Sequence, residues 1–444
     1  MSQPAPFERF IHIPGPNPIL VTGGPATWDE HWIEACDILK EQETYYLYYH
    51  GTPTEESDFT PKGYRLGVAT ASHPLGPWTR HPDNPVLDVG PEGSWDDRSA
   101  ACACILKEHA DCYSLLYSGI SQAGGGWSIG LATGPSPVGP WEKHPGNPVL
   151  EGFGYVGGAF RHQGRYWLYT EHPIGETGPD YGPLSLAHAE QLAGPWTPYE
   201  GNPVLPAGEW GTWDDGGYSE AEVHLRDGIF HVFYGAARLH PTRILSQESI
   251  GYAYSHDGLR FIKFPGNPVA AKEHDPGAAA FAEVHSLFEP PLIYLFHTLR
   301  YTDPARSQLE HLGVQILATQ TPFCIPMPLL RFDKLAPGAF SSLDECPTLS
   351  LECISECALT VECRAPEGGS NALGIHIRGS HDGVNYDTAD LATLNMPLRL
   401  GELTRQTFAI PCHARFVKVS VENCVTGYER TLRDIAVKAT LKGN

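Results

Sequence analysis

A five-residue phrase recurs along the chain and limits what it can fold into. It reads Pro16-Asn17-Pro18-Ile19-Leu20, Asp83-Asn84-Pro85-Val86-Leu87, Gly146-Asn147-Pro148-Val149-Leu150, Gly201-Asn202-Pro203-Val204-Leu205 and Gly266-Asn267-Pro268-Val269-Ala270. The steps between asparagines are 84−17=67, 147−84=63, 202−147=55 and 267−202=65. A period of this length, met five times, means an array of similar units. An aromatic stands six residues before the asparagine in four of them (Trp78, Trp141, Trp196, Phe261). Further upstream come a small-apolar run such as Leu66-Gly67-Val68-Ala69-Thr70, an aromatic run such as Tyr45 to Tyr49, and a first run such as Cys36 to Lys40.

Each unit therefore holds four short strand-like runs separated by Gly, Pro and Asp turns, without a sustained 3.6-residue period. Four-stranded units repeated five times predict an all-β fold, a five-bladed β-propeller. The last unit lacks its own Gly-Pro-Trp strand, and Phe7 to Ile13 supplies the missing run. The N-terminus is thus expected to close the ring by pairing with the blade built from residues 280–320. The propeller is assigned to residues 1–322 and a proline-rich linker to 323–339, with Pro326, Pro328 and Pro337. Residues 340–444, with six alternating apolar–polar runs, read as a β-sandwich accessory domain. Packing is the default role of that domain; sugar binding and homo-oligomer formation are the others it could serve.

Net charge is −22, from 30 Lys+Arg against 52 Asp+Glu. Such a surface argues against nucleic acid and anionic membranes as partners, since both require basic patches. No apolar run is long enough to span a membrane, and Met1 to Phe10 lacks the pattern of a secretion signal. A cytoplasmic location is expected, with the eleven cysteines as reduced thiols. Cys36, Cys102 and Cys104 read as small hydrophobes of inner strands.

In a propeller the first strand of each blade lies innermost, and its start shares a rim with the end of the second strand. The first-strand starts carry Asp29 and Glu34, Asp97 and Arg98, Glu220, Glu222 and His224, then Glu283 and His285. The second-strand ends carry His50, Ser118, Glu171, His172, Arg238, His297 and Arg300. Blades one and four align as Glu34-Ala35-x-x-x-Leu39-Lys40 against Glu220-Ala221-x-x-x-Leu225-Arg226. This puts two glutamates at equivalent inner positions, the arrangement that two-carboxylate glycoside hydrolysis needs. Structural readings compete. Trp-Asp recurs at Trp28, Trp95 and Trp213 as a repeated turn would. Asp97 and Arg98 can pair with each other. Glu222 and His224, two apart on one strand face, can bond between blades.

At these residues the chain resembles the five-bladed propeller glycosidases, the group that includes glycoside hydrolase families 43, 32, 62 and 130. Glu34 holds the place of a base that opens the first inner strand, eleven residues before the aromatic run (45−34=11). Ser219-Glu220-Ala221-Glu222-Val223-His224-Leu225-Arg226-Asp227-Gly228 resembles the segment that carries the general acid. The resemblance assigns Glu220 that role, with Glu222 as alternate. The pKa-tuning Asp of blade three is replaced here by Gly154-Tyr155-Val156-Gly157, so Asp97 or Glu171 is expected to substitute. His285 and Arg300 resemble an axial His and a substrate-clamping Arg.

These readings predict an inverting glycoside hydrolase acting on a small carbohydrate. Its catalytic residues would be Glu34, Glu220 and Asp97. Its substrate-binding residues would be Asp29, Arg98, Glu171, Glu222, His224, Arg238, His285 and Arg300. No cofactor is required and no spacing marks metal ligands, although a structural Ca2+ could sit on the propeller axis. Two alternatives stand beside this one. A glycoside phosphorylase is suggested by the basic cluster Arg238-Leu239-His240-Pro241-Thr242-Arg243, able to hold phosphate. A non-catalytic carbohydrate-binding propeller is suggested by the missing blade-three Asp.

Overall fold

The recurring asparagine is a clasp. In blade two, Asn147 Oδ1 accepts from Leu131 N–H at 2.9 Å, while Nδ2 donates to Leu131 C=O at 2.9 Å and to the Tyr117 hydroxyl at 3.3 Å. Asn84 holds Val68 in the same way, at 3.0 Å for both backbone bonds. Asn202 holds Leu186 and Asn267 holds Tyr252. A primary amide donates and accepts at once, so it imitates one residue of a strand against the third strand of its blade. The two residues after the Pro then turn back onto that strand, with bridges Leu66↔Leu87, Ile129↔Leu150 and Leu184↔Leu205. Asn147→Ala leaves the Leu131 N–H without a partner, while the Leu131 C=O keeps the His144 N–H at 2.8 Å. At about 1–3 kcal/mol per buried unpaired group, the variant is expected to lose about 1–3 kcal/mol in urea unfolding. Asn147→Asp, which cannot donate, is expected to recover only part of it.

The computed structural model describes residues 5–53, 63–171, 182–242, 246–302, 309–367, 372–424 and 431–444. His172 and Arg243 lie outside them. The chain divides into two compact units, one mainly Ile19–Glu289 with Ile293–Gln315 and the other mainly Ile316–Asn444. Among the described residues there is no α-helix, and so none long and apolar enough to cross a membrane.

The first unit is the propeller. Blade one is Trp32–Glu41, Thr44–Thr52, Arg65–Ala71 and Thr79–Arg80. Blade two is Ser99–His109, Cys112–Ile120, Ser128–Gly134 and Glu142–Lys143. Blade three is Tyr155–His162, Arg165–Glu171, Leu184–Ala189 and Thr197–Pro198. Blade four is Gly217–Arg226, Ile229–Arg238, Ser246–Ser255 and Ile262–Lys263. Blade five is Ala278–Glu289, Leu292–Tyr301 and Glu310–Ala318, and Ile11–Pro14 pairs with its third strand. Ile19 N–H also donates to Leu312 C=O at 2.9 Å, and Leu312 N–H to Leu20 C=O at 2.9 Å.

Adjacent blades share their apolar faces. Cys36, Tyr48, Leu66 and Val68 of blade one pack with Ala103, Ile105 and Leu115 of blade two, and similar clusters join blades two to three and three to four. The third-strand glycines leave room for the tryptophan of the Trp-Asp turn. A Cβ on Gly67 would lie 2.8 Å from the Trp28 ring, and one on Gly130 would lie 2.6 Å from Trp95. The Trp-Asp pair is a structural turn. Asp29, Asp96 and Asp214 are buried and bind Arg80, Lys143 and Lys263 at 2.9, 2.6 and 2.5 Å.

The inner strands share a bulge. Pairing skips one residue between Ala35 and Asp37, between Ala101 and Ala103, and between Ser219 and Ala221; it skips two between Val156 and Ala159. The extra residue is Cys36, Cys102 or Glu220, and in blade three the Gly157-Gly158 pair. Cys102, Glu220 and Glu283 of blade five take positive φ values of 39°, 53° and 40°. A bulge re-aims the side chain it inserts and is frequent beside functional sites. This corrects the gapless alignment of Glu34 with Glu220. By register, Glu220 corresponds to Cys36, and Glu34 stands two residues earlier.

The second unit holds two four-stranded antiparallel sheets. One runs Phe323–Leu335, Leu432–Gly443, Glu356–Arg364, Leu403–Ile410; the other runs Leu349–Ser350, Phe416–Asn423, Ala372–Ser380, Ala392–Pro397. Residues 323–335 are thus a strand, where a proline-rich linker was expected. The strand is an edge, and Pro326 and Pro328 alternate with buried Ile325 and Met327, so the missing N–H groups fall where none is needed.

Candidate active site

Glu34, on the inner strand of blade one, opens onto a cavity of about 230 Å³ in the first unit. Four more carboxylates line it: Glu171 from blade three, Glu220 from blade four, Glu283 and Glu310 from blade five. Trp32, Tyr64, Trp127 and Tyr155 give it aromatic walls, and the Trp127 and Tyr155 rings lie 4.9 Å apart. Arg300 is the one Lys or Arg among the described lining residues, and it is bonded to Glu310.

Glu34 is held as an acceptor. Oε1 accepts a hydrogen bond from the Tyr64 hydroxyl at 2.5 Å, and Oε2 lies 2.6 Å from His50 Nε2. The other His50 nitrogen fixes the tautomer. Nδ1 accepts from Cys102 N–H at 3.2 Å and faces Cys36 Sγ at 3.0 Å. A nitrogen that accepts from a backbone N–H carries no proton, so the proton sits on Nε2 and is donated to Glu34.

Glu220 is held the same way. Oε1 accepts from Cys102 Sγ at 2.7 Å, and Oε2 lies 2.6 Å from His285 Nε2. Burial pulls the His285 pKa down, but the Glu220 bond and the charges of Glu220, Glu222 and Asp37 outweigh it and raise it. His285 therefore donates to Glu220.

Glu171 differs. Burial first, and the Glu220 charge second, push its pKa well above the ordinary value. Oε2 accepts the Glu220 backbone N–H. Oε1 is buried and has no hydrogen-bond partner among the described residues. Glu283 is also pushed well up, by burial and then by the charges of Glu34, Glu310 and Glu220; its Oε1 accepts from Gln247 at 3.0 Å. Two of the lining carboxyls thus favour the protonated form beside two that accept hydrogen bonds on both oxygens, and such divided environments separate acid from base.

Of the residues singled out in the sequence, Glu34, His50, Glu171, Glu220, Glu283 and Arg300 meet in the cavity. Glu222, His224 and His285 stand behind it. Glu222 lies 2.8 Å from His224 and accepts Ser286 N–H at 2.8 Å. Asp29 holds Arg80 and the Tyr49 hydroxyl, and Arg238 is exposed at its strand end. Asp97 and Arg98 do not line the cavity. Asp97 clamps a loop, accepting Gly93 N–H and Gln122 N–H at 2.7 Å each and the Ser121 hydroxyl at 3.1 Å. Asp215 does the same in blade four, bonding Gly211 and Leu239. Asp97→Asn is therefore expected to lower stability by about 1–3 kcal/mol, read by urea unfolding.

Tyr64 had no mark in the sequence, Cys102 read there as a small hydrophobe, and Glu283 stood among the strand starts without a role. One signal was present: Cys102 and Glu220 each follow the Trp of a Trp-Asp turn by seven residues (102−95=7, 220−213=7).

Several solved structures share the fold. A putative glycoside hydrolase from Parabacteroides distasonis matches with a TM-score of 0.51 at 13% identity, over 70% of this chain and 97% of that one. A putative glycosidase from Bacteroides thetaiotaomicron matches at 0.51 and 15% identity, over 69% and 96%. A glycosyl hydrolase from Bacteroides ovatus matches at 0.50 and 15% identity, over 71% and 95%. The chain has the propeller fold of these proteins. No family model matches the sequence, and no curated protein does.

Proposed function

We propose that this chain is a glycoside hydrolase whose cavity takes one sugar ring. The observation that carries the reading is the convergence of five glutamates from four blades on one small cavity with aromatic walls, two of them pushed toward the protonated form. At about 230 Å³ the cavity is below the roughly 300–1,000 Å³ of sites for drug-sized ligands, which favours a terminal sugar over an internal segment.

In this reading Glu34, oriented by Tyr64 and His50, is the base that activates water. Glu171 carries the proton for the leaving oxygen on Oε1, and Glu220 is the neighbouring charge that keeps it there. The roles expected of Glu171 and Glu220 are thereby exchanged, because both Glu220 oxygens already accept hydrogen bonds. Glu283 and Glu310 would bind sugar hydroxyls. The reaction proposed is inversion, which asks for carboxyl groups about 6.5–9.5 Å apart with water between. A phosphorylase finds less support: a phosphate anion would enter a cavity of five carboxyls whose one Arg is engaged by Glu310.

The test is a panel of aryl glycosides and natural oligosaccharides, with and without phosphate. Phosphate-independent release of a single sugar, lowered roughly 10²–10⁴-fold by Glu34→Gln, supports the proposal. Sugar binding without turnover across the panel contradicts it.

A further inference from the structure

We propose that the floor of this cavity is a binding site for a thiophilic divalent cation, zinc above all, held by Cys36, Cys102, His50 and Glu220. These residues come from the strands of blades one, two and four, and three of them stand at the register positions described above as bulges: Cys36, Cys102 and Glu220.

The geometry has the features of a coordination sphere. A ligand atom from each of His50, Cys102 and Glu220 lies within 4.8 Å of the other two, and all three residues are buried. Cys36 Sγ lies 3.0 Å from His50 Nδ1 but outside that group of three, so it completes a fourth position by moving toward Cys102 and Glu220. Two sulfurs, one imidazole nitrogen and one carboxylate oxygen make a set that tetrahedral zinc accepts, with bonds of about 2.0–2.3 Å. Such a set favours zinc over calcium or magnesium, which take oxygen.

The groups behind the donors are arranged as metal sites require. A ligating histidine nearly always gives its second ring N–H to a carboxylate, a backbone carbonyl or water. His50 does this: Nε2 donates to Glu34 at 2.6 Å, which leaves Nδ1 with its lone pair toward the Cys36 thiol and the Cys102 N–H. Ligating carboxylates are themselves hydrogen-bonded, and Glu220 Oε2 lies 2.6 Å from His285 Nε2. On binding, the ion would replace the Cys102 S–H bond to Glu220 and the 3.2 Å bond from Cys102 N–H to His50, and the two thiol protons would leave to solvent.

This site is independent of the hydrolase reading, because metal uptake is measured without turnover. The full-length protein, stripped with chelator and kept reduced, is titrated with zinc chloride by calorimetry and with cobalt(II) by absorption. One equivalent of zinc should bind, and cobalt should give a thiolate charge-transfer band. Cys102→Ser and Cys36→Ser should each weaken zinc at least about 10-fold and diminish the band, and Glu34→Gln should weaken zinc about 10–100-fold through His50. Cys424→Ser, at an exposed thiol of the second unit, should change neither. Because Cys→Ser keeps the side-chain shape, a melting temperature near wild type separates lost ligation from lost folding. If Cys36→Ser does not fold, Cys102→Ser alone decides. No stoichiometric zinc binding, or binding that survives Cys102→Ser unchanged, overturns the proposal.

Discussion

Glu171→Gln is expected to lower kcat roughly 10²–10⁴-fold on substrates with an unactivated leaving group, and far less on aryl glycosides whose leaving group departs without a proton. The contrast follows from the Glu171 surroundings. Its Oε1 is buried without a partner among the described residues, and burial and the Glu220 charge favour its protonated form. Glutamine keeps the shape but has no acidic proton. The pH profile should change with it. The acid is active while protonated, so wild-type activity should fall as pH rises through the Glu171 pKa, and Glu171→Gln should lose that alkaline limb on activated substrates. Glu220→Gln removes the charge that holds the proton on Glu171, and should move the same limb to lower pH. A Glu171→Gln enzyme equally slow on both substrate types would assign the proton to another group.

Stability is expected to fall as pH rises across the neutral range. Behind the cavity, Asp37 is pushed from the ordinary 3.8 to about 7, by burial and then by the Glu222 charge, against bonds from Ile105 N–H and the charges of His285 and His224. The folded chain holds this proton more tightly than the unfolded one. Its contribution is complete below 3.8 and is lost as pH climbs through 7. Glu171 and Glu283 are displaced in the same direction and add to the fall. His224 and His285, also raised, contribute below their ordinary 6.5 and cease to do so above their folded values. Glu222 runs the other way: burial raises it, but His224 and His285 pull it lower, so its contribution appears above 4.5 and is lost in acid. At about 1.4 kcal/mol per pKa unit, the Asp37 shift amounts to about 4–5 kcal/mol over the whole range, of which about 2 kcal/mol is lost above pH 5.5. Urea unfolding between about pH 5.5 and 8.5 should show the decline, and Asp37→Asn should flatten it. A profile level or rising over that range would contradict the charge arrangement described here.

The blades were legible because their signals are local. The Asn-Pro clasp, the third-strand Gly and the Trp-Asp turn each act within a few strands, so each leaves a mark in most repeats. The cavity was legible in part. Glu34, Glu171, Glu220 and Arg300 were found by asking which strand ends share a rim. The division of roles was not readable, because it is set by partners distant in the chain: His50 and Tyr64 on Glu34, Cys102 and His285 on Glu220. The bulge explains the error in register. Both strands carry it, but it falls one residue after Glu34-Ala35 and on Glu220 itself, so Glu34-Ala35 and Glu220-Ala221 align as text while standing two positions apart in pairing. Asp97 misled for another reason. A carboxylate beside an Arg at a strand start looks catalytic, but its bonds to Gly93 and Gln122 show a loop clamp repeated in Asp215. The strand at 323–335 was hidden by prolines that only an edge position tolerates.

The most direct test is a crystal structure of the Glu171→Gln protein soaked with whichever glycoside the wild-type chain hydrolyses. One sugar ring should sit in the cavity, its scissile oxygen beside residue 171 and a water between its anomeric carbon and Glu34. A sugar bound outside the cavity, or bound within it with Glu34 and residue 171 on the same side of the scissile bond, would contradict the assignment.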